Sequence, residues 1–246
     1  MGLSLQNKTY WLVGASEGLG RALAAELAGA GVRLCLSARN EGRLQGLAES
    51  LSHDPVVAPC DVRDTKSVAE AFGRLPPLDG VIMNAGVYEP VKATEWQPDM
   101  VEAMCDVNFT GAARVLGQAV PHLVSRGKGH IVVIGSLAGC RGMPGAIGYA
   151  SSKAGVMHLA ECVRVDLPSP DFCVQTVNPG FIETRLTAKN DFEMPYMMSP
   201  EDAAREVRKA MESGRFSTNF PGKFAWRFRI ARHLPNWLYF RLVSSR

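Results

Sequence analysis

Seven short runs of nearly unbroken apolar, β-favouring residues punctuate the chain, at 10–13, 32–36, 56–59, 80–83, 130–134, 173–177 and, more weakly, 216–220. Between them, apolar residues recur three and four apart, which predicts helices at 19–28, 43–51, 65–72, 98–125, 150–166 and 200–211. Strands alternating with helices imply right-handed crossovers and a parallel sheet, and unbroken apolar runs suit strands that have no wet face. The pattern predicts one doubly wound α/β domain over residues 1–222, with a parallel seven-stranded sheet. Its ligand crevice should open at the carboxyl ends of the strands.

The pattern changes near the end of the chain. Residues 215–246 carry seven Lys/Arg, eight aromatic residues and no Asp or Glu. The overall excess of 27 basic over 24 acidic residues therefore hides an acidic body with a basic-aromatic appendage. A helix is predicted over 223–234, stopped by Pro235, with a second apolar cluster at 237–240. On a helical wheel Phe224, Phe228 and Ala231 adjoin Leu234, Ile230 and Trp226. Arg229, Arg232 and His233 gather opposite, and Arg227 interrupts the apolar arc. Residues 223–246 are read as a helical tail packed on the domain, on a subunit interface or, as a peripheral contact, on anionic lipid. Packing on protein is the preferred reading, because an amphipathic helix more often faces a core than a membrane.

Composition removes several function classes. A chain of 246 residues with 46% hydrophobic and 21% charged residues is not disordered, and no apolar run approaches the roughly 20 residues of a membrane span. No basic segment followed by an apolar stretch opens the sequence, so a cytoplasmic protein is expected. The six cysteines are scattered without a C-x-x-C pair. They read as reduced, mostly buried small hydrophobes, with no metal site. The acidic body argues against nucleic acid as a partner.

Chemistry enters first at the turn after the first strand, where Gly14, Ser16, Gly18, Leu19 and Gly20 lead directly into a helix. Glycines there let a pyrophosphate approach backbone amides and the positive end of the helix dipole. The spacing G-x-x-x-G-x-G differs from the G-x-G-x-x-G fingerprint. About 20 residues later, no carboxylate stands at the tip of the second strand to hold an NAD ribose. Arg39 does stand there, and it can pair with a 2′-phosphate while Ser37 adds a hydroxyl. Glu17 inside the loop opposes a second phosphate. On balance NADP(H) is expected over NAD(H).

A second constellation follows the fifth strand. Tyr149 and Lys153 lie four apart, on one face of a predicted helix. An ammonium beside the phenol would lower its pKa and fit it for proton transfer. Ser136, at the carboxyl end of the fifth strand, can hydrogen-bond a developing alkoxide.

Together these residues resemble the short-chain dehydrogenase/reductase family over essentially the whole body. The matching motifs are Gly14-x-x-x-Gly18-x-Gly20, Cys60-Asp61-Val62, Asn84-Ala85-Gly86, Asn108, Ser136, Tyr149-x-x-x-Lys153 and Asn178-Pro179-Gly180 followed by Thr184. The resemblance implies a Rossmann-type fold and a homodimer or homotetramer. Its carbonyl/alcohol chemistry would be carried by Asn108, Ser136, Tyr149 and Lys153, with Asn108 bending its helix and helping to hold a proton-relaying water. It further implies that Asp61 and Val62 bracket the adenine and that Asn84, Ala85 and Gly86 support the cofactor. Pro179, Gly180, Ile182 and Thr184 would contact its nicotinamide end and pyrophosphate. Val13 and Met83 depart from the usual threonine and asparagine without removing a catalytic group. Gly111, Ala112, Ala113, Gly117 and Ala119 would permit close helix approach between subunits, although burial inside one subunit is the plainer reading of the same residues. Residues 185–199 would cover the active site, where Met194, Pro195, Tyr196, Met197 and Met198 suit an apolar small-molecule substrate or, equally, core packing. A noncatalytic NADP(H)-binding sensor or scaffold is the alternative; the intact Ser, Tyr and Lys argue for catalysis.

Overall fold

The computed structural model describes residues 2–244; Ser245 and Arg246, counted in the tail above, lie outside them. The strands are β1 (Thr9–Val13), β2 (Arg33–Ser37), β3 (Val56–Val57), β4 (Gly80–Met83), β5 (Gly129–Ile134), β6 (Phe172–Pro179) and β7 (Ser217–Phe220). They form one seven-stranded sheet in the order β3-β2-β1-β4-β5-β6-β7, and every neighbouring pair is parallel.

Side chains alternate between the two faces, and both faces are covered, which is why the runs read as continuously apolar. Tyr10, Leu12, Leu34, Leu36 and Ile82 pack in one core with α1 (Gly18–Gly29), α2 (Glu41–Ala48) and α7 (Pro200–Ser213). Trp11, Val13, Cys35, Val81 and Met83 pack in the other, with α3 (Thr65–Phe72), α5 (Gly111–Ser125) and α6 (Ile147–Asp166). Strand order reverses between β1 and β4, so their carboxyl ends diverge into a crevice.

Three differences from the sequence reading have local causes. β3 stops at Val57, two residues before Pro59, which has no N–H for a ladder. Asn40 caps α2, its side chain accepting from the Arg43 N–H at 2.9 Å, so that helix starts two residues early. The helix expected at 98–125 is interrupted: α4 (Pro98–Cys105) passes through a π turn, Asp106–Thr110, before α5 begins.

Burial also redistributes some expected roles. Gly111, Ala112 and Ala119 are spent inside the subunit, leaving only Ala113 and Gly117 exposed among the small residues expected at an interface. Only Cys35 and Cys60 are buried; Cys162 is exposed and the other three are half-buried, all six free. Among the described residues no helix is long and apolar enough to cross a membrane.

The tail forms α8 (Gly222–His233) and α9 (Asn236–Ser244). Phe224 and Ala225 are buried against Leu137, with Phe181 and Phe228 beside them. Arg141, in the segment after β5, fastens both helices. It donates to the carbonyls of Ala231 (2.6 Å) and Leu234 (2.8 Å) and to Asn236 Oδ1 (2.6 Å), and lies 4.1 Å from the Tyr239 ring centre. Tyr239 donates to the Gly142 carbonyl at 2.6 Å. Trp226 and Ile230, expected on the packed arc, instead face outward, 53% and 48% exposed, because Phe224, Ala225 and Phe228 occupy the buried face.

Candidate active site

The crevice is a cleft of about 1390 Å³ across the ends of β1, β2, β4, β5 and β6. Its floor is glycine backbone brought unusually close. Gly14 has φ +91°, and a Cβ there would lie 2.5 Å from the Ala85 nitrogen. Gly18 has φ +49° and faces Thr184, while a Cβ on Gly20 would overlap the Gly14 carbonyl oxygen. Only glycine fits these places, and the cradle they form at the start of α1 suits a pyrophosphate. Asn84 locks β4 to this turn by donating from Nδ2 to the Gly14 carbonyl at 2.8 Å, while the Asn84 and Ala85 N–H groups donate to the Val13 carbonyl.

Ser16, Gly18, Leu19, Arg39, Asp61, Val62, Ala85, Gly86, Tyr149, Lys153, Pro179, Gly180, Ile182 and Thr184 line the cleft together with Gly14 and Asn84. Gly20 stands behind the loop as a packing position. Arg39 is exposed at the tip beyond β2, beside Asp61, whose carboxyl is held below its usual range chiefly by its hydrogen bonds with Arg63. Ser37 is not a phosphate ligand. It ends β2 on the Trp11 side of the sheet, fully buried, accepting from Trp11 Nε1 at 2.8 Å and donating to the Ala58 carbonyl.

Among the cleft residues that the sequence reading missed, Arg43 and Arg185 bear most on its charge. Both pair with Glu17, one from α2 and the other from the segment after β6. Glu17 therefore brings a neutralised charge rather than the bare repulsion expected of it. Nothing local to Glu17 announces partners 26 and 168 residues away.

Ser136, Tyr149 and Lys153 meet at the inner end of the cleft. Ser136 caps the turn after β5, its Oγ accepting from the Ala138 N–H at 3.1 Å. Lys153 is buried and donates to the Ile134 carbonyl at 2.8 Å, its Nζ 5.9 Å from the Tyr149 ring centre. Burial lowers its pKa to about 8. The same burial raises the Tyr149 phenol above its usual value, opposed by a hydrogen bond with Ser136. The sequence expectation of a phenol lowered by lysine is thus reversed, since desolvation dominates both groups. Asn108 does not line the cleft. The π turn aims it at Val87, whose N–H it accepts at 2.8 Å and whose carbonyl it meets at 2.9 Å; Nδ2 also donates to Ser152 Oγ at 3.0 Å.

A smaller pocket of about 100 Å³ adjoins Ser136 and Tyr149. Its walls are Tyr88, Leu137, Met143, Phe181, Phe192, Phe224 and Phe228, with the Tyr88 ring edge-on to Tyr149 at 5.1 Å. None of Met194, Pro195, Tyr196, Met197 or Met198 lines it. Met198 instead packs on the core and pairs with Ile182, and Tyr196 and Met197 are exposed. The apolar wall is built from the tail and the segment after β6, a non-local assembly that 185–199 alone does not reveal.

Comparison with known proteins agrees with this geometry. Residues 8–194 match the family described as short chain dehydrogenase. A Myxococcus xanthus protein named an uncharacterized oxidoreductase is 37% identical over 240 residues, covering 94% of each chain. A Thermococcus sibiricus alcohol dehydrogenase, solved with 5-hydroxy-NADP, superposes with a TM-score of 0.78 at 26% identity, over 87% of this chain and 95% of that one. A Burkholderia cenocepacia short chain dehydrogenase solved with NADP shares the fold along 98% of this chain and 99% of its own, with a TM-score of 0.86 at 22% identity. By the family match over residues 8–194 and by a relative 37% identical over 94% of its length, this chain belongs to the short-chain dehydrogenase family of oxidoreductases.

Proposed function

We propose that the protein is an NADP(H)-dependent reductase of apolar carbonyl compounds, with the alcohol oxidation as the reverse reaction. The observation that carries the reading is the placement of Ser136 and Tyr149 on the boundary between the dinucleotide cleft and the aromatic pocket. A bound nicotinamide dinucleotide supplies or accepts the hydride. The glycine cradle and the start of α1 hold its pyrophosphate. Arg39, with no carboxylate at the β2 tip, receives a 2′-phosphate, and the ligand of the Thermococcus relative is consistent with that choice. Lys153 serves the ribose and orients the phenol.

A phenol is ordinarily protonated at neutral pH, and burial shifts Tyr149 further the same way, so it enters the reduction as a proton donor to the carbonyl oxygen. Ser136 donates a hydrogen bond to the same oxygen as charge develops. Asn108 acts as a positioning residue, tying the π turn to the Val87 segment and to Ser152 on α6. The aromatic walls exclude water and select an apolar substrate. Assembly is proposed as a homodimer or homotetramer in the cytoplasm.

The test is a panel of aldehydes and ketones of graded hydrophobicity, with NADPH and NADH, on the wild type and Tyr149→Phe. Expected are turnover with NADPH, preference for the apolar members, and loss of at least about a hundredfold in kcat with unchanged NADPH affinity in the variant. A Tyr149→Phe enzyme with wild-type kcat would refute the assignment.

A further inference from the structure

The outer side of the tail is the most unusual surface of the molecule. Among the large apolar side chains exposed on it are Trp226 and Ile230 on α8 and Trp237 (68% exposed) and Phe240 (57%) on α9. They are not waiting for the domain's own core, because that contact is already made by Phe224, Ala225 and Tyr239 on the opposite sides of the same helices. At 100° per residue, Trp226 and Ile230 share one side of α8, while Phe224, Ala225 and Phe228 share the other.

The charge around these residues is one-sided. Lys223, Arg227, Arg229, Arg232 and Arg241 are exposed, and among the described residues none of them joins an ion pair. No Asp or Glu follows Glu212 in the sequence to offer a side-chain partner. Elsewhere among the described residues, eight of the fifteen exposed arginines and lysines are paired, as Arg205 and Lys209 are on α7. The tail thus offers aromatics interleaved with unpaired cations.

We propose that this outer face of α8 and α9 docks on an anionic phospholipid surface. The occupant follows from the chemistry: tryptophan and phenylalanine settle at headgroup depth with their apolar bodies inward, and the interleaved arginines meet lipid phosphates. Arg141 holds both helices on the body, so the face is rigidly presented and the docking needs no unfolding. The inner face of α8 supplies Phe224 and Phe228 to the aromatic pocket, which places that pocket behind the docked helix. The proposal does not depend on the identity of the substrate or on turnover.

The experiment is cosedimentation of the intact protein with vesicles of phosphatidylcholine alone or mixed with phosphatidylglycerol, at low and high salt. Wild type should bind the mixed vesicles, ignore the neutral ones and come off at high salt. Trp226→Ser with Trp237→Ser should abolish binding, and Arg227→Gln with Arg229→Gln should weaken it roughly 25-fold, at about fivefold per cation. Both variants should keep the wild-type melting temperature, since neither pair touches the core. Failure to bind mixed vesicles, or equal binding to neutral ones, overturns the proposal. So does light scattering in which either variant falls from an oligomer to a monomer, because the face would then be covered by a second copy.

Discussion

Replacing Arg141 with alanine removes one guanidinium and, with it, every contact that fastens the two tail helices through a charged group. The lost contacts are hydrogen bonds to the Ala231 and Leu234 carbonyls, the bond to Asn236 Oδ1 and the stacking on Tyr239. Bonds from a charged donor contribute about 1.5–3 kcal/mol each when buried, less here because Arg141 is only half-buried and the contacts share one group. A cation at a helix C-terminus adds about 0.3–1 kcal/mol, and its place over a tyrosine about 0.5–1. Allowing for overlap, Arg141→Ala should destabilise the docked tail by about 2–4 kcal/mol. The loss is local, so hydrogen exchange of residues 222–244 is the assay. Protection there should fall roughly 30- to 700-fold while β4 and β5 keep theirs. Arg141→Lys, a single ammonium that cannot reach three acceptors in a plane, should recover only part. Because Phe224 and Phe228 wall the aromatic pocket, KM for apolar carbonyls should rise in Arg141→Ala while cofactor affinity stays put. Unchanged protection in α8 and α9 of that variant would refute the clamp.

Three further outcomes follow from the site. Arg39→Asp should weaken NADPH by roughly ten- to a hundredfold and shift preference toward NADH, read by fluorescence titration; equal wild-type affinities for the two cofactors would contradict the assignment. Gly20→Ala should fail to bind cofactor or melt well below the wild type, since its new Cβ would overlap the Gly14 carbonyl; wild-type binding and melting together would show that the turn can relax. Lys153 is depressed to about 8 in the folded chain, so between about pH 8 and 10.5 the unfolded chain holds a proton that the folded one has lost. Stability should therefore rise with pH across that window by up to about 3 kcal/mol more in the wild type than in Lys153→Met, measured by urea unfolding; parallel pH profiles would contradict the shift.

Much of the fold was legible because its signals are local. Strands buried on both faces announce themselves as apolar runs, and the glycine turn, Ser136, Tyr149 and Lys153 sit at strand ends and helix starts that periodicity alone locates. Misreadings arose where a long-range partner decides the outcome. Ser37 looked like a tip residue free for phosphate, yet strand alternation points it at Trp11, 26 positions away in sequence. Glu17 looked like an isolated repulsive charge until α2 and the post-β6 segment delivered Arg43 and Arg185. The stretch 185–199 does wall the pocket, but with Leu186, Thr187, Asn190 and Phe192 rather than its Met/Tyr cluster, and Phe224 and Phe228 join them because Arg141 fastens the tail across the domain. Trp226 and Ile230 were placed on the packed arc of a wheel on which too many residues were apolar; only contact with Leu137 and Phe181 chooses the buried side.

The π turn at Asp106–Thr110 fixes the length of its helix as strictly as its residues. A π turn is one residue wider than an α turn, so removing any single residue from 106–110 would restore a regular helix. The two halves would keep nearly the same orientation, because the extra residue is absorbed within the turn, but the bulge that carries Asn108 would be lost. Asn108 would swing away from Val87 and Ser152, although every side chain of the cleft was still encoded. Most surface loops of the protein should tolerate gain or loss of a residue. In this turn, where Asn108 alone is buried, a deletion that leaves composition, charge and hydrophobicity almost untouched should uncouple Asn108 from the site.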